Sequence, residues 1–202
     1  MVNFSETEEK ILLAARTVFI RKGLSGARMQ EIADEAGINK ALLHYYFRSK
    51  EKLFERIFEE VLKNLATGIS EVLSSDIPIL EKLDSFIDKY SEALSANPYL
   101  PVFVLNEMSQ NPSRIKAFFE KGVLPAMINF FAQIQREVGE GKINPINPAH
   151  LLLNIMGMLV LPYAVSPMIA PVLKENMGIS YTDILAERKK VISAFVLAAL
   201  KK

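Results

Sequence analysis

Cysteine and tryptophan are absent from this chain, and histidine occurs only twice, as His44 and His150. Without a thiol there is no disulfide framework, no thiol nucleophile and no Cys/His zinc site, and two distant histidines do not suggest a metal centre. A Cys-free chain also suits a reducing cytoplasm. An excess of either charge is missing too: 24 Lys and Arg stand against 23 Asp and Glu, a formal net charge of +1. That excludes a polybasic tail or a wholly basic architectural protein, so any nucleic-acid surface must be local. Strict apolar/polar alternation, the mark of half-buried strands, is found nowhere. Gly-rich phosphate loops and nucleophile–base pairs are also lacking, and adjacent acids such as Glu59 and Glu60 read as a solvated helix face. The chain is therefore expected to be no enzyme, with no catalytic residue, metal or cofactor. Its first residues, MVNFSETEEK, are acidic where a secretory signal needs a basic and then an apolar region. The expectation is a cytoplasmic protein.

What is present is an apolar, helical sequence. Half of the 202 residues are apolar, enough for one elongated domain or two small ones. Ser5 and Glu8 form a capping box, and Ile11, Ala14, Ala15, Val18 and Phe19 recur at helical spacing before Gly23, which predicts a first helix over 6–22. Met29, Ile32, Ala33 and Ala36 share one face of a short second helix ended by Gly37 at the C′ position. Asn39 can cap a third helix through Phe47, and Ser49 a fourth that carries Leu53, Phe54, Ile57, Val61 and Leu65. Two short helices joined around a glycine are a helix-turn-helix signature.

The prolines at 78, 98–101, 112, 145–148 and 162–171 mark further helix starts and stops and leave room for four or five more helices. A last helix begins near Thr182. Between Lys142 and Lys174 no Asp, Glu, Lys or Arg occurs, a length that would span a bilayer. Pro162, Pro167, Pro171 and Asn154 inside that stretch favour a buried helix or a subunit interface over a membrane span.

At roughly 100° per residue, Leu43 and Phe47 of the third helix point inward while Ala41 and Tyr45 face nearly opposite, with Lys40 and His44 on one flank and Leu42 and Tyr46 on the other. Lys, His and Tyr around a small alanine suit a major groove and its phosphates, and Lys50 at the start of the next helix reads as a phosphate clamp. The other reading of these residues is a small aromatic core with solvated cations. Spacing alone leaves both open, because three cations are a weak electrostatic footprint.

The run from Ile32 to Phe54, IADEAGINKALLHYYFRSKEKLF, closely resembles the DNA-binding domain of the TetR family of bacterial transcription regulators. The resemblance extends back to the helix with Ala14, Ala15 and Phe19 and covers about a quarter of the chain. It implies an all-α protein with an N-terminal three-helix helix-turn-helix domain, residues 1–50, and a C-terminal helical ligand-binding and dimerisation domain, residues 51–202. It also implies operator contacts by Arg28, Gln30, Asn39, Lys40, Ala41, Leu42, His44, Tyr45, Tyr46 and Lys50. Two positions depart from the pattern: Ala41 stands where many members have glycine, and Ala27 where many have a capping threonine, so Ser25 or water is expected at that cap.

Past Phe54 the resemblance rests on size and helix order. Members commonly bind a small molecule in the C-terminal domain and dimerise through the last two helices, here about 147–165 and 182–200. Met156, Met158, Leu161, Ile192 and Phe195 are then expected at the homodimer interface, with Gly157 permitting close approach. Phe103, Met108, Phe118, Phe119, Met127, Phe130 and Phe131 are candidates for a pocket that takes a small apolar effector. Taken together the expectation is a ligand-responsive repressor that leaves an inverted-repeat DNA operator when its effector binds.

Overall fold

Ile11, Ala14, Ala15, Val18 and Phe19 are all buried in the computed structural model, so the helical spacing of the first segment corresponds to one inward face. The structure describes residues 6–110 and 112–202, and the expected cap Ser5 lies outside them. The described residues form ten helices and no strand: α1 Glu6–Gly26, α2 Met29–Glu35, α3 Lys40–Tyr46, α4 Lys50–Ser74, α5 Ile79–Ala96, α6 Leu100–Gln110, α7 Pro112–Gly122, α8 Leu124–Gly139, α9 Pro148–Met177 and α10 Tyr181–Leu200. They divide into two compact units, Met1–Lys63 and Asn64–Lys202, with the boundary inside α4 and not at its first residue.

In the first unit, α1 runs regularly to Lys22, where Gly23 takes φ 68 and ψ 177 and opens a last irregular turn to Gly26. The left-handed φ of 66 at Gly37 ends α2, as a C′ glycine should. Asn39 then caps α3 by accepting a hydrogen bond from the Leu42 amide at 2.8 Å, and Ser49 Oγ accepts from the Lys52 amide at 3.3 Å to start α4. No side chain caps α2, whose N-cap position is Arg28. The first turns of α4 bury Leu53, Phe54, Ile57 and Phe58, and the Phe54 ring meets the edge of Phe19 with centroids 5.0 Å apart. Those contacts account for the unit boundary falling beyond the start of α4.

In the second unit the polar interior is small and fully used at one corner. Lys82, 3% exposed, donates to the carbonyl of Leu73 at 3.0 Å and to Gln133 Oε1 at 2.5 Å. Gln133 donates in turn to Ile77 O and Glu137 Oε1, and the Glu137 carboxylate accepts the Ile79 amide. The end of α4, the start of α5 and α8 are thus joined by paired polar groups, as burial of such groups requires. Desolvation lowers the Lys82 ammonium below its ordinary range. At the other end Asn144 closes α10 by donating to the carbonyls of Ala199 and Lys201.

The expectation that the prolines after Leu161 stop a helix is corrected: α9 continues through Pro162, Pro167 and Pro171 to Met177, where Gly178 with φ 66 caps it. Pro162 has no N–H to give the Met158 carbonyl four residues back. Arg188 Nη2 on α10 donates to that carbonyl at 3.0 Å instead, and the Tyr181 hydroxyl donates to the carbonyl of Pro162 itself at 2.8 Å. Five helices, α5 to α9, therefore lie between α4 and the last helix, α10.

Candidate nucleic-acid interface

The candidate surface is built on α3. Leu43 and Phe47 are buried, which leaves Lys40, Ala41, Leu42, His44 and Tyr45 exposed and Tyr46 half-buried. Tyr45 is 81% exposed and meets the Tyr46 ring edge-on at 5.5 Å, so its neighbour limits where it can swing. Asn39 is exposed at the helix start but its side-chain oxygen is spent on the cap. Before α2, Arg28 is exposed; Gln30, also exposed, holds Asp34 through a 2.8 Å hydrogen bond. Arg48, one residue past Phe47, is exposed as well and extends the cationic rim beyond the expected set.

Two ion pairs set α2 against α1: Lys22 to Glu31 at 2.7 Å and Arg21 to Glu35 at 3.3 Å. The hydrogen bond from Lys22 holds the Glu31 carboxyl below its ordinary range. Both pairs are partly exposed, so each contributes little stability and mainly fixes orientation. Sequence periodicity does not reveal them, because the partners lie nine and fourteen residues apart on different helices.

Lys50, expected as a phosphate clamp, is turned toward the end of α1 in the DNA-free chain. Its side chain is half-buried, and its ammonium donates to the carbonyl oxygens of Leu24, Ser25 and Ala27. The end of a helix leaves carbonyls without intrahelical donors, and a lysine that can reach them is drawn in.

The candidate pocket residues do not share one environment. Phe103 and Phe130 are buried in α6 and α8, and Phe118, Met127 and Phe131 are half-buried. Met108 and Phe119, half exposed, face away from any interior; Phe119 follows Phe118 by 100° on the same short helix, so the two cannot both point inward. The candidate interface residues also divide. Leu161 and Phe195 are exposed, Met156 and Met158 are half-buried, and Ile192 is fully buried within its own chain, so its side chain belongs to the intrachain core.

A capped seven-residue helix that shows Lys, His and Tyr, packed on α2 and anchored by buried Leu43 and Phe47, defines a helix-turn-helix protein. Residues 11–57 match the family model described as bacterial regulatory proteins, tetR family. Over 153 residues the chain is 29% identical to the HTH-type transcriptional regulator RutR of Escherichia coli K12, covering 75% of this chain and 71% of that one. It is 31% identical over 85 residues to the HTH-type transcriptional activator FasR of Mycolicibacterium smegmatis, which is 42% of this chain but only 39% of that protein's length. The fold is shared with the ketosteroid transcriptional regulator KstR2 of Mycobacterium tuberculosis, with a TM-score of 0.66, 20% identity and coverage of 100% and 97% of the two chains. Residues 11–57 are thus a helix-turn-helix domain of the TetR family of bacterial regulatory proteins.

Proposed function

We propose that this chain is a cytoplasmic, homodimeric repressor that binds an inverted-repeat operator and releases it when a small apolar effector enters the C-terminal helices. The observation that carries the reading is the exposed face of α3, where Lys40, Ala41, Leu42, His44 and Tyr45 stand outward on a helix held by buried Leu43 and Phe47. Such a face enters a major groove, with base edges read by His44 and Tyr45 and phosphates met by Lys40 and Arg28. Residues 1–50 carry the DNA contacts, and 51–202 carry effector binding and dimerisation.

The seam between subunits is read on α9 and α10. Leu153, Leu161, Met168 and Val172 are each more than half exposed, and at 100° per residue they form one stripe opposite buried Leu151, Ile155, Leu159 and Tyr163. On α10, Val191 and Phe195 are also more than half exposed, about 120° around the helix from buried Ile192, Val196 and Leu200. α9 is long and apolar enough to cross a membrane by length and composition, but its three prolines and the polar ties of Arg188 and Tyr181 to its backbone suit a protein seam better. A twofold mate covers both stripes at once.

Release works as a population shift. An effector that binds one arrangement of the C-terminal helices more tightly moves α4 and separates the two recognition helices from successive major grooves. The half-buried and buried aromatics of α6 to α8, Phe103, Phe118, Phe130 and Phe131, make an apolar effector the natural ligand class. The test is to pass fragmented genomic DNA over the purified protein and sequence what is retained. Recovery of fragments sharing an inverted repeat, released by apolar compounds, is the expected result; uniform retention of all sequences would overturn it.

A further inference from the structure

The buried pair Leu43 and Phe47 fixes which side of α3 faces outward. At roughly 100° per residue the direction opposite their midpoint falls on Tyr45, with Ala41 about 40° to one side of it and Leu42 about 60° to the other. All three are exposed, so the middle of the outward face carries a methyl, an isobutyl group and a phenol ring, with Lys40 and His44 on one flank. Asn, Gln, Asp and Glu do not occur in α3. Asn39, just before it, holds its side-chain oxygen on the Leu42 amide at 2.8 Å, and Gln30 on α2 gives its side-chain amide to Asp34 at 2.8 Å. The paired donor and acceptor that adenine needs, and the carboxylate that suits the cytosine amine, are therefore not offered by this face.

In a major groove the one apolar group on a base edge is the C5 methyl of thymine, and the first residues of a recognition helix lie nearest the base edges. Ala41 and Leu42 are the second and third residues of α3. We propose that Ala41 and Leu42 are specificity-determining residues that read thymine, each half-site placing a thymine methyl against them, with Lys40 left to donate to guanine or to phosphate. The proposal rests on α3 being the helix that enters the groove. Thymine under this arc buries its methyl against alkyl groups, which is favourable. Cytosine in the same place has only a hydrogen there and turns its amine toward an alkyl surface, which leaves a donor without water or partner. Uracil differs from thymine by the methyl alone, so it isolates that contact.

The test uses the full chain and a duplex cut from genomic fragments that the parent protein retains, with single thymines replaced by deoxyuridine. Burial of one methyl predicts about fourfold weaker binding when the contacted thymine of one half-site loses it, and about fifteenfold when its symmetry mate is replaced as well. Uracil outside the half-sites, or in random duplex DNA, should change nothing. Leu42→Ala keeps a good helix former in α3, so it should melt as the parent does, bind the thymine duplex more weakly and lose less than about twofold more with uracil. Ala41→Gly should behave in the same way. Unchanged affinity at every substituted thymine would overturn the proposal. An undiminished uracil penalty in both variants would also overturn it, because other residues would then meet the methyl. Tyr45→Ala separates failure here from failure of the wider reading. If it weakens binding to the retained fragments while uracil does not, α3 reads DNA but not through thymine. If Tyr45→Ala, His44→Ala and Leu42→Ala all bind those fragments as the parent does, α3 is not the reading helix and thymine reading falls with it.

Discussion

Arg188 reaches across from α10 and donates Nη2 to the carbonyl oxygen of Met158 at 3.0 Å, the one α9 carbonyl that Pro162 leaves without a helical donor. A cation on one helix thus repairs the backbone of another, and α9 passes its first internal proline because of it.

The two groups should be thermodynamically coupled. Arg188→Met leaves the Met158 carbonyl unpaired and should cost about 1 to 3 kcal/mol. Pro162→Ala restores an N–H four residues on, so in that background the same substitution should cost clearly less. Urea denaturation of the four proteins gives the double-mutant cycle. Equal costs in both backgrounds would show that Arg188 has another role.

Tyr90 sets an alkaline limit on stability. Burial pushes its phenol from 10.0 up to about 12, so the folded state holds its proton where the unfolded chain gives it up. The sign follows from linkage: the contribution is complete below pH 10 and is lost as pH rises from about 10 towards about 12. Relative to Tyr90→Phe, the parent should lose roughly 1.4 kcal/mol per pH unit in that window. Urea midpoints at pH 8 and pH 11 decide it, and parallel behaviour of the two proteins would place Tyr90 in a wetter site than the fold gives it.

On the DNA side, Tyr45 is 81% exposed, so Tyr45→Ala should leave the melting temperature within a degree or two while specific binding weakens by about 1 to 3 kcal/mol. His44→Ala should act in the same direction. A gel-shift titration against retained and random fragments at one salt concentration separates specific from general loss. Equal loss on both would move these side chains from base edges to phosphates.

Much of the first unit was legible because its signals are local. Asn39, Gly37 and Ser49 act within a few residues of themselves, and the burial of Leu43 and Phe47 follows from helical angle alone. What was not legible depends on partners distant in sequence. Lys50 reads as an outward cation unless the carbonyls of Leu24 to Ala27 are known to lie beside it, and α9 reads as ending near Pro162 unless Arg188 and Tyr181 are known to face it. Ile192 and Phe195 share the apolar side of α10 by composition. Periodicity cannot divide a wide apolar side between its own core and a surface left for a second chain.

That division yields the sharpest test of the dimer. Ile192 is 1% exposed and Phe195 is 65% exposed, so the same change at the two sites should have different consequences. Ile192→Glu buries a carboxylate among Val196, Leu200 and their neighbours and should unfold the second unit, since an unpaired buried charge costs several kcal/mol. Phe195→Glu leaves its charge in water as long as the chain is alone and meets that penalty only when a twofold mate closes over α9 and α10. It should therefore give a folded monomer with a cooperative melt. Specific DNA affinity should drop although no DNA contact is altered, because two half-sites about one helical turn apart need two linked recognition helices. Analytical ultracentrifugation at micromolar concentration reads the outcome. A monomeric parent protein, or a Phe195→Glu variant that stays dimeric and binds an inverted repeat as the parent does, would move the subunit seam off these helices.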